Sequence, residues 1–178
     1  MGQKNEQGVN MEQIVKKVQE LGLTLPKCPA PLAAYVPATR NGDTIYVSGQ
    51  LPSINGDFSA FCGSVPTEVS VEKAAEGAAI CLMNNVAAAL TQLEEGETLR
   101  LVQMQGFVQS AAGFHEQPTV LNGASELAVK IFGENGKHAR TAVGVSNLPK
   151  NVAVEISCTF QVLKAEAKFN GRYGWIEG

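Results

Sequence analysis

A chain of 178 residues with 44% hydrophobic and 17% charged residues is long enough for one core that removes about 70% of its extended surface from water, and too apolar for broad disorder. A net charge of −3 with no long Lys/Arg run counts against a phosphate-tracking nucleic-acid surface, so nucleic acid is not an expected partner. Cys28, Cys62, Cys81 and Cys158 are scattered without a C-x-x-C, and the histidines are His115 and His138 alone, which is no zinc pattern.

No stretch reaches 18 uninterrupted apolar residues, the first residues form no apolar leader, and no N-x-[ST] acceptor occurs. The expectation is a cytoplasmic protein with reduced thiols that crosses no membrane.

Taken in order, residues 1 to 10 are polar, and Ile14, Val15, Val18 and Leu21 have helical spacing from Met11, with Asn10 as the cap and Gly22 as the stop. A proline-rich connector leads to an edge strand expected near 33 to 39. Asn41-Gly42 signals a hairpin into "TIYVSGQ", and "DFSAFCG" is a weaker third strand. Apolar residues recurring at three and four from Val71 to Leu93 predict one long amphipathic helix between Ser70 and Gly96. "TLRLVQMQGFVQSA" reads as a strand and Pro118 to Phe132 as a second helix. Two more strands, 138 to 146 and 152 to 162, flank "NLPKN". The organisation expected is an N-terminal extension over 1–25, one domain over 26–163 and a polar tail over 164–178, to which no function is assigned.

Simple alternation places Val152, Val154, Ile156, Cys158 and Phe160 on one face of the last strand and Ala153, Glu155, Ser157 and Thr159 on the other. The same reasoning sends Thr141, Val143 and Val145 toward the helices and Arg140, Ala142 and Gly144 away from them, so Arg140 and Glu155 share the uncovered face, with Val102, Met104 and Val108 beside them. A half-apolar face left bare predicts a homo-oligomer. A strand Arg and Glu on one face most often form a salt bridge; the other reading is a guanidinium fork that holds a ligand carboxylate, with small neighbours leaving room for it. His138 falls on the same face at a strand end, where solvent is its expected neighbour. Cys81 falls on the apolar stripe of the long helix and is read as core.

The stretches "AAYVPA", "TIYVSGQLP", the helix after Ser70 and above all "ARTAVGVSNLPKNVAVEI" resemble the Rid family, also called the YjgF family, over roughly residues 30 to 163. The resemblance implies an α+β, chorismate-mutase-like fold: a mixed or antiparallel sheet with two main helices on one face, assembled as a homotrimer with ligand clefts between subunits. It implies hydrolytic deamination of reactive 2-enamino or 2-imino acids, such as 2-aminoacrylate, to 2-keto acids and ammonia, with no metal or organic cofactor needed. Carried onto this chain, Arg140 binds the substrate carboxylate and Glu155 positions or activates water, with Tyr35, Ser48, Gly49 and Asn122 as weaker matches around the ligand.

Three departures bear on that reading. The family's deaminases commonly carry Ser-Cys after the arginine, where this chain has Thr141-Ala142; Pro118 stands near an aromatic position; and the helix before Pro26 is extra. They motivate the alternative of a non-catalytic trimer that binds small carboxylates. An RNA-cleaving or translation-inhibiting role, a label attached to the family, fits the acidic balance poorly.

Overall fold

The computed structural model of the protein describes residues 11–28, 34–164, 168–169 and 175–176. Helix α1 runs Met11–Glu20 and buries Ile14 and Val18, one turn apart on its apolar stripe. The expected cap Asn10 lies outside the described residues. Strands β1 (Ala38–Asn41) and β2 (Thr44–Val47) pair antiparallel, with Asn41 opposite Thr44, so the hairpin turns at Gly42–Asp43, one residue beyond the expected place. Strand β1 also starts later than the reading from residue 33: Pro37 has no N–H for a ladder, and pairing begins after it.

"DFSAFCG" is not a strand. Asp57 Oδ1 accepts from the Ser59 amide at 2.8 Å, and this Asx turn diverts Ser59–Phe61 into a 3-10 turn; the segment's ladder contacts are isolated bridges, Asp57 to Ile54 and Cys62 to Val152. Helix α2 spans Val71–Leu90, opened by the Ser70 hydroxyl, which accepts from the Lys73 amide at 3.1 Å. It ends at Leu90 rather than Leu93, and from Cys81 onward every residue is buried, so its second half is enclosed on all sides. Strand β3 (Glu97–Gln109), helix α3 (Gln117–Phe132), strand β4 (Ala139–Val145) and strand β5 (Val154–Lys164) follow as expected, and β6 (Lys168–Phe169) pairs with β7 (Trp175–Ile176) in a separate ribbon.

The five-stranded sheet has the order β1-β2-β5-β3-β4. Only β3 and β4 are parallel, as a crossover through α3 requires. Helices α2 and α3 lie against each other and against one face of the sheet. Cys81 is fully buried in that core, as its place on the helix predicts.

The faces depart from simple alternation. Leu99 and Leu101 are buried, then the β3–β5 register shifts between Leu101 and Gln103. Val102 is the additional residue of a β-bulge, and one extra residue exchanges the two faces of everything after it. Met104 and Val108, expected on the bare face, are therefore buried against the helices, while Gln103 and Gln105 are exposed on the outer face.

Strand β4 follows its partner. Arg140 stands opposite Met104 and Ala142 opposite Gly106, whereas Val143 stands opposite Phe107, which in turn faces Glu155. Directly paired residues share a face, so Arg140 lies on the helix side and Glu155 on the outer side. Steric room explains the reversal: a Cβ on Gly106 would collide with the Leu121 side chain of α3, so the sheet beneath α3 takes small residues and Val143 turns outward, 40% exposed. The outer face is accordingly more polar than expected, its apolar members including Tyr46, Phe107, Val143 and Val145.

The Leu148-Pro149-Lys150 turn carries β4 across the end of β3 to β5. Lys150 and Asn151 both have φ near +60°, and Gln109, the last β3 residue, holds them: its Oε1 accepts from the Leu148 amide at 2.7 Å and its Nε2 donates to Asn151 Oδ1 at 2.6 Å.

Candidate functional site

The six residues singled out in the sequence gather into two clusters. In the first, Arg140 on β4 faces α3. Its Nη1 donates to Asn122 Oδ1 at 2.9 Å and to Ser125 Oγ at 3.0 Å. Asn122 and Ser125 are three apart on the helix and so present to the same strand. Arg140 is exposed, and both bonds use one nitrogen, which leaves Nη2 and Nε unused among the described residues, a donor pair with the fork geometry that matches a carboxylate.

His138 belongs to this cluster and not to solvent. It is half-buried, with Nδ1 2.6 Å from the Gly136 carbonyl and Nε2 3.1 Å from Ser125 Oγ. Burial and, less strongly, the Arg140 charge hold it below the ordinary histidine value, against a partial offset from the Gly136 bond. Ser125 had escaped the sequence reading. Its spacing from Asn122 is the signal that points to it once Asn122 is on the list.

The second cluster forms around Glu155 on β5. The segment after β2 continues alongside β5, with Gln50 and Ile156 exchanging backbone bonds at 2.8 and 3.1 Å. That pairing lays Gly49 over the Glu155 carboxylate, where a Cβ on Gly49 would collide with Oε1. The Ser48 hydroxyl donates to the Val36 carbonyl at 2.7 Å and its amide to Pro37 O at 2.9 Å, which fixes the segment carrying the exposed Tyr35. Ser48 thus ties down backbone. Among the described residues no hydrogen bond or ion pair ends on Glu155, and burial alone raises its carboxyl above the usual carboxylate range.

A cavity of about 520 Å³ adjoins this cluster, lined by Cys28, Tyr35, Gly49, Leu51, Phe58 and Asn84 among others. Asn84 Nδ2 shapes its wall by donating to the Leu51 and Ser53 carbonyls at 3.0 and 3.1 Å. Its size is in the range that encloses small organic ligands. Ala142, at the position of the family's cysteine, packs against the core beside α3 and offers no thiol to either cluster. Among the described residues no three His, Cys, Asp or Glu side chains converge as metal ligands, and no helix is long and apolar enough to cross a membrane.

The clusters do not meet within one chain. Glu155 aligns with Val143, two strand spacings of about 4.8 Å and three residues of about 3.3 Å from Arg140. Their α-carbons are therefore about 14 Å apart, with side chains on opposite faces, and no salt bridge joins them.

A family model described as endoribonuclease L-PSP matches residues 26–162. Protein TCP17 of Trypanosoma cruzi is 37% identical over 152 residues, covering 84% of this chain and 94% of that protein. The crystal structure of Atu1372 from Agrobacterium tumefaciens, a protein of unknown function, is 40% identical with a TM-score of 0.73, covering 84% of this chain and 93% of that one. The YjgF gene product of E. coli is 27% identical with a TM-score of 0.54, covering 78% and 97% respectively. Helix α1 precedes the matched segment.

Proposed function

This chain belongs to the endoribonuclease L-PSP family, the Rid (YjgF) family, and from that premise we propose that it hydrolyses reactive 2-imino and 2-enamino acids to 2-keto acids and ammonia in clefts between the subunits of a homotrimer. The observation that carries the reading is the pair of complementary half-sites: two donors of an exposed guanidinium, and a half-buried carboxylate, neither with a partner among the described residues. A 2-imino acid needs both, one for its carboxylate and one for the water that attacks C2.

These groups sit on opposite faces of one sheet, so a second copy has to supply the missing half. Two different surfaces of identical subunits then meet, a heterologous contact, and a rotation that closes gives a ring. In the cleft, Arg140 of one protomer binds the ligand carboxylate through Nη2 and Nε. Glu155 of its neighbour takes a proton from water as the oxygen bonds to C2 of the iminium. Glu155 then gives that proton to the nitrogen, the C–N bond breaks as the C2 hydroxyl returns its proton to Glu155, and ammonia leaves as C2 becomes a carbonyl; an enamine first gains a proton from solvent at C3. A carboxyl lifted by burial toward neutral pH is suited to that transfer.

The test is keto-acid release from freshly generated 2-aminoacrylate and its longer homologues, run on wild type beside Arg140→Ala with assembly state checked for both. Acceleration by wild type and its loss in a folded variant support the reading. Absence of acceleration across all substrates would contradict it, and binding of keto acids without turnover would move the assignment to the non-catalytic carboxylate binder that Ala142 in place of the family cysteine motivates.

A further inference from the structure

His138 and Ser125 form a directional chain that ends on Arg140. A backbone carbonyl only accepts, so the neutral ring must carry its proton on Nδ1 to bond Gly136 at 2.6 Å. That leaves Nε2 as an acceptor, and the Ser125 hydroxyl 3.1 Å away must donate to it. A guanidinium only donates, so the remaining lone pairs of Ser125 face Arg140 Nη1 at 3.0 Å. Every bond in the series Arg140 to Ser125 to His138 to Gly136 points one way, the arrangement in which each bond polarises the next.

We infer that Ser125 and His138 are positioning residues that set the orientation of the Arg140 guanidinium, turning Nη2 and Nε toward the ligand carboxylate. The inference rests on the carboxylate-binding role proposed above for Arg140. With the ring neutral, Ser125 is fixed as an acceptor toward Arg140 and, with Asn122 Oδ1, holds Nη1 from two sides. Protonation of His138 reverses the second bond: Nε2–H donates to Ser125 Oγ, the hydroxyl keeps only the weak Met104 Sδ acceptor at 4.0 Å, and an imidazolium stands beside the guanidinium. The groups facing the ring are Ser125 from α3, the Gly136 carbonyl from the preceding turn and Arg140 from β4, while the Lys137 ammonium is paired with Glu134 at 2.7 Å.

The experiment uses the full chain, with 15N-histidine and 15N-arginine labelling, and 2-oxobutanoate as the probe ligand. Wild type should show His138 as the Nδ1–H tautomer at pH 7. Ser125→Ala should weaken 2-oxobutanoate about tenfold, and raise KM rather than lower kcat in the imine assay, as expected for loss of one charge-assisted bond. Ser125→Thr, which keeps the hydroxyl, should restore most of the loss, and affinity should fall from pH 7 to pH 5 more steeply in wild type than in Ser125→Ala. An Nε2–H tautomer, or Ser125→Ala binding like wild type, would overturn the inference. Should wild type bind no 2-oxobutanoate, the functional reading fails; the ring tautomer and the sharpness of the Arg140 guanidinium signals in wild type against Ser125→Ala then decide the positioning role alone.

Discussion

The two half-sites solve opposite problems. Around Arg140 the charge is exposed and its one committed nitrogen is satisfied twice, by Asn122 and Ser125. Around Glu155 the charge is half-buried beneath Gly49 and satisfied by nothing among the described residues. A guanidinium keeps its charge in any surroundings, so a group that binds can stay in water and needs only orientation. A carboxylate in water is a weak base, so a group that moves protons gains from burial, at a cost in stability. Under the deaminase reading proposed above, the contrast assigns binding to Arg140 and proton transfer to Glu155.

Four changes would break or sharpen it. Glu155→Gln should act on turnover, lowering kcat by roughly 10²- to 10⁴-fold with KM little changed, the range for loss of a general base; equal effects on both would erase the distinction. Arg140→Ala should act on binding, lowering kcat/KM about 100-fold through KM, as expected for loss of a bidentate charged contact. Gly49→Ala places a methyl group against the Glu155 carboxylate and should lower kcat by about tenfold while leaving keto-acid affinity intact, since a misplaced reactive group costs rate first. Arg140-side variants such as Asn122→Ala should do the reverse, raising KM by a few fold.

Proton linkage supplies the smallest and most diagnostic effect. The folded-state pKa of Glu155 is raised by burial, so its contribution to stability is present below the ordinary carboxylate value and lost as pH rises through the folded one. Glu155→Gln should therefore melt with wild type near pH 4 and above it at pH 7. His138 has the opposite sign: its pKa is lowered, so its share of stability is present above the ordinary histidine value and fades as pH falls below it. Equal melting of wild type and Glu155→Gln across that range would show that Glu155 is not desolvated.

Much of this was legible in the sequence where a local rule decides. Ser70 opens α2 and Pro118 opens α3 as such residues should, and strand β5 alternates from Val154 to Val162. The failures share a different cause. The bulge at Val102 inverts the face of Met104 and Val108 and no residue type announces it, because the extra residue is set by pairing with β5. The reversal of β4 is decided by how closely α3 approaches Gly106, a tertiary distance. Arg140 and Glu155 were identifiable through the spacing around Leu148-Pro149-Lys150, yet their separation onto opposite faces was not, since it rests on both of those events. Ser125 and His138 lay within sight of the argument, and only the packing of α3 on β4 joins them.

The central claim is that one site takes its arginine and its glutamate from different copies of the chain, and mixing two inactive variants tests it. Arg140→Ala and Glu155→Gln, each nearly inactive alone at substrate concentrations well below KM, are unfolded together, reassembled at equal concentration and assayed for imine hydrolysis at such concentrations after mixed oligomers are verified by mass. Random assembly places an intact arginine opposite an intact glutamate in about one cleft in four of a ring with heterologous contacts, so about a quarter of wild-type activity should return. If verified mixed oligomers remain as inactive as either parent, the two residues do not complete a site across subunits and the account is wrong.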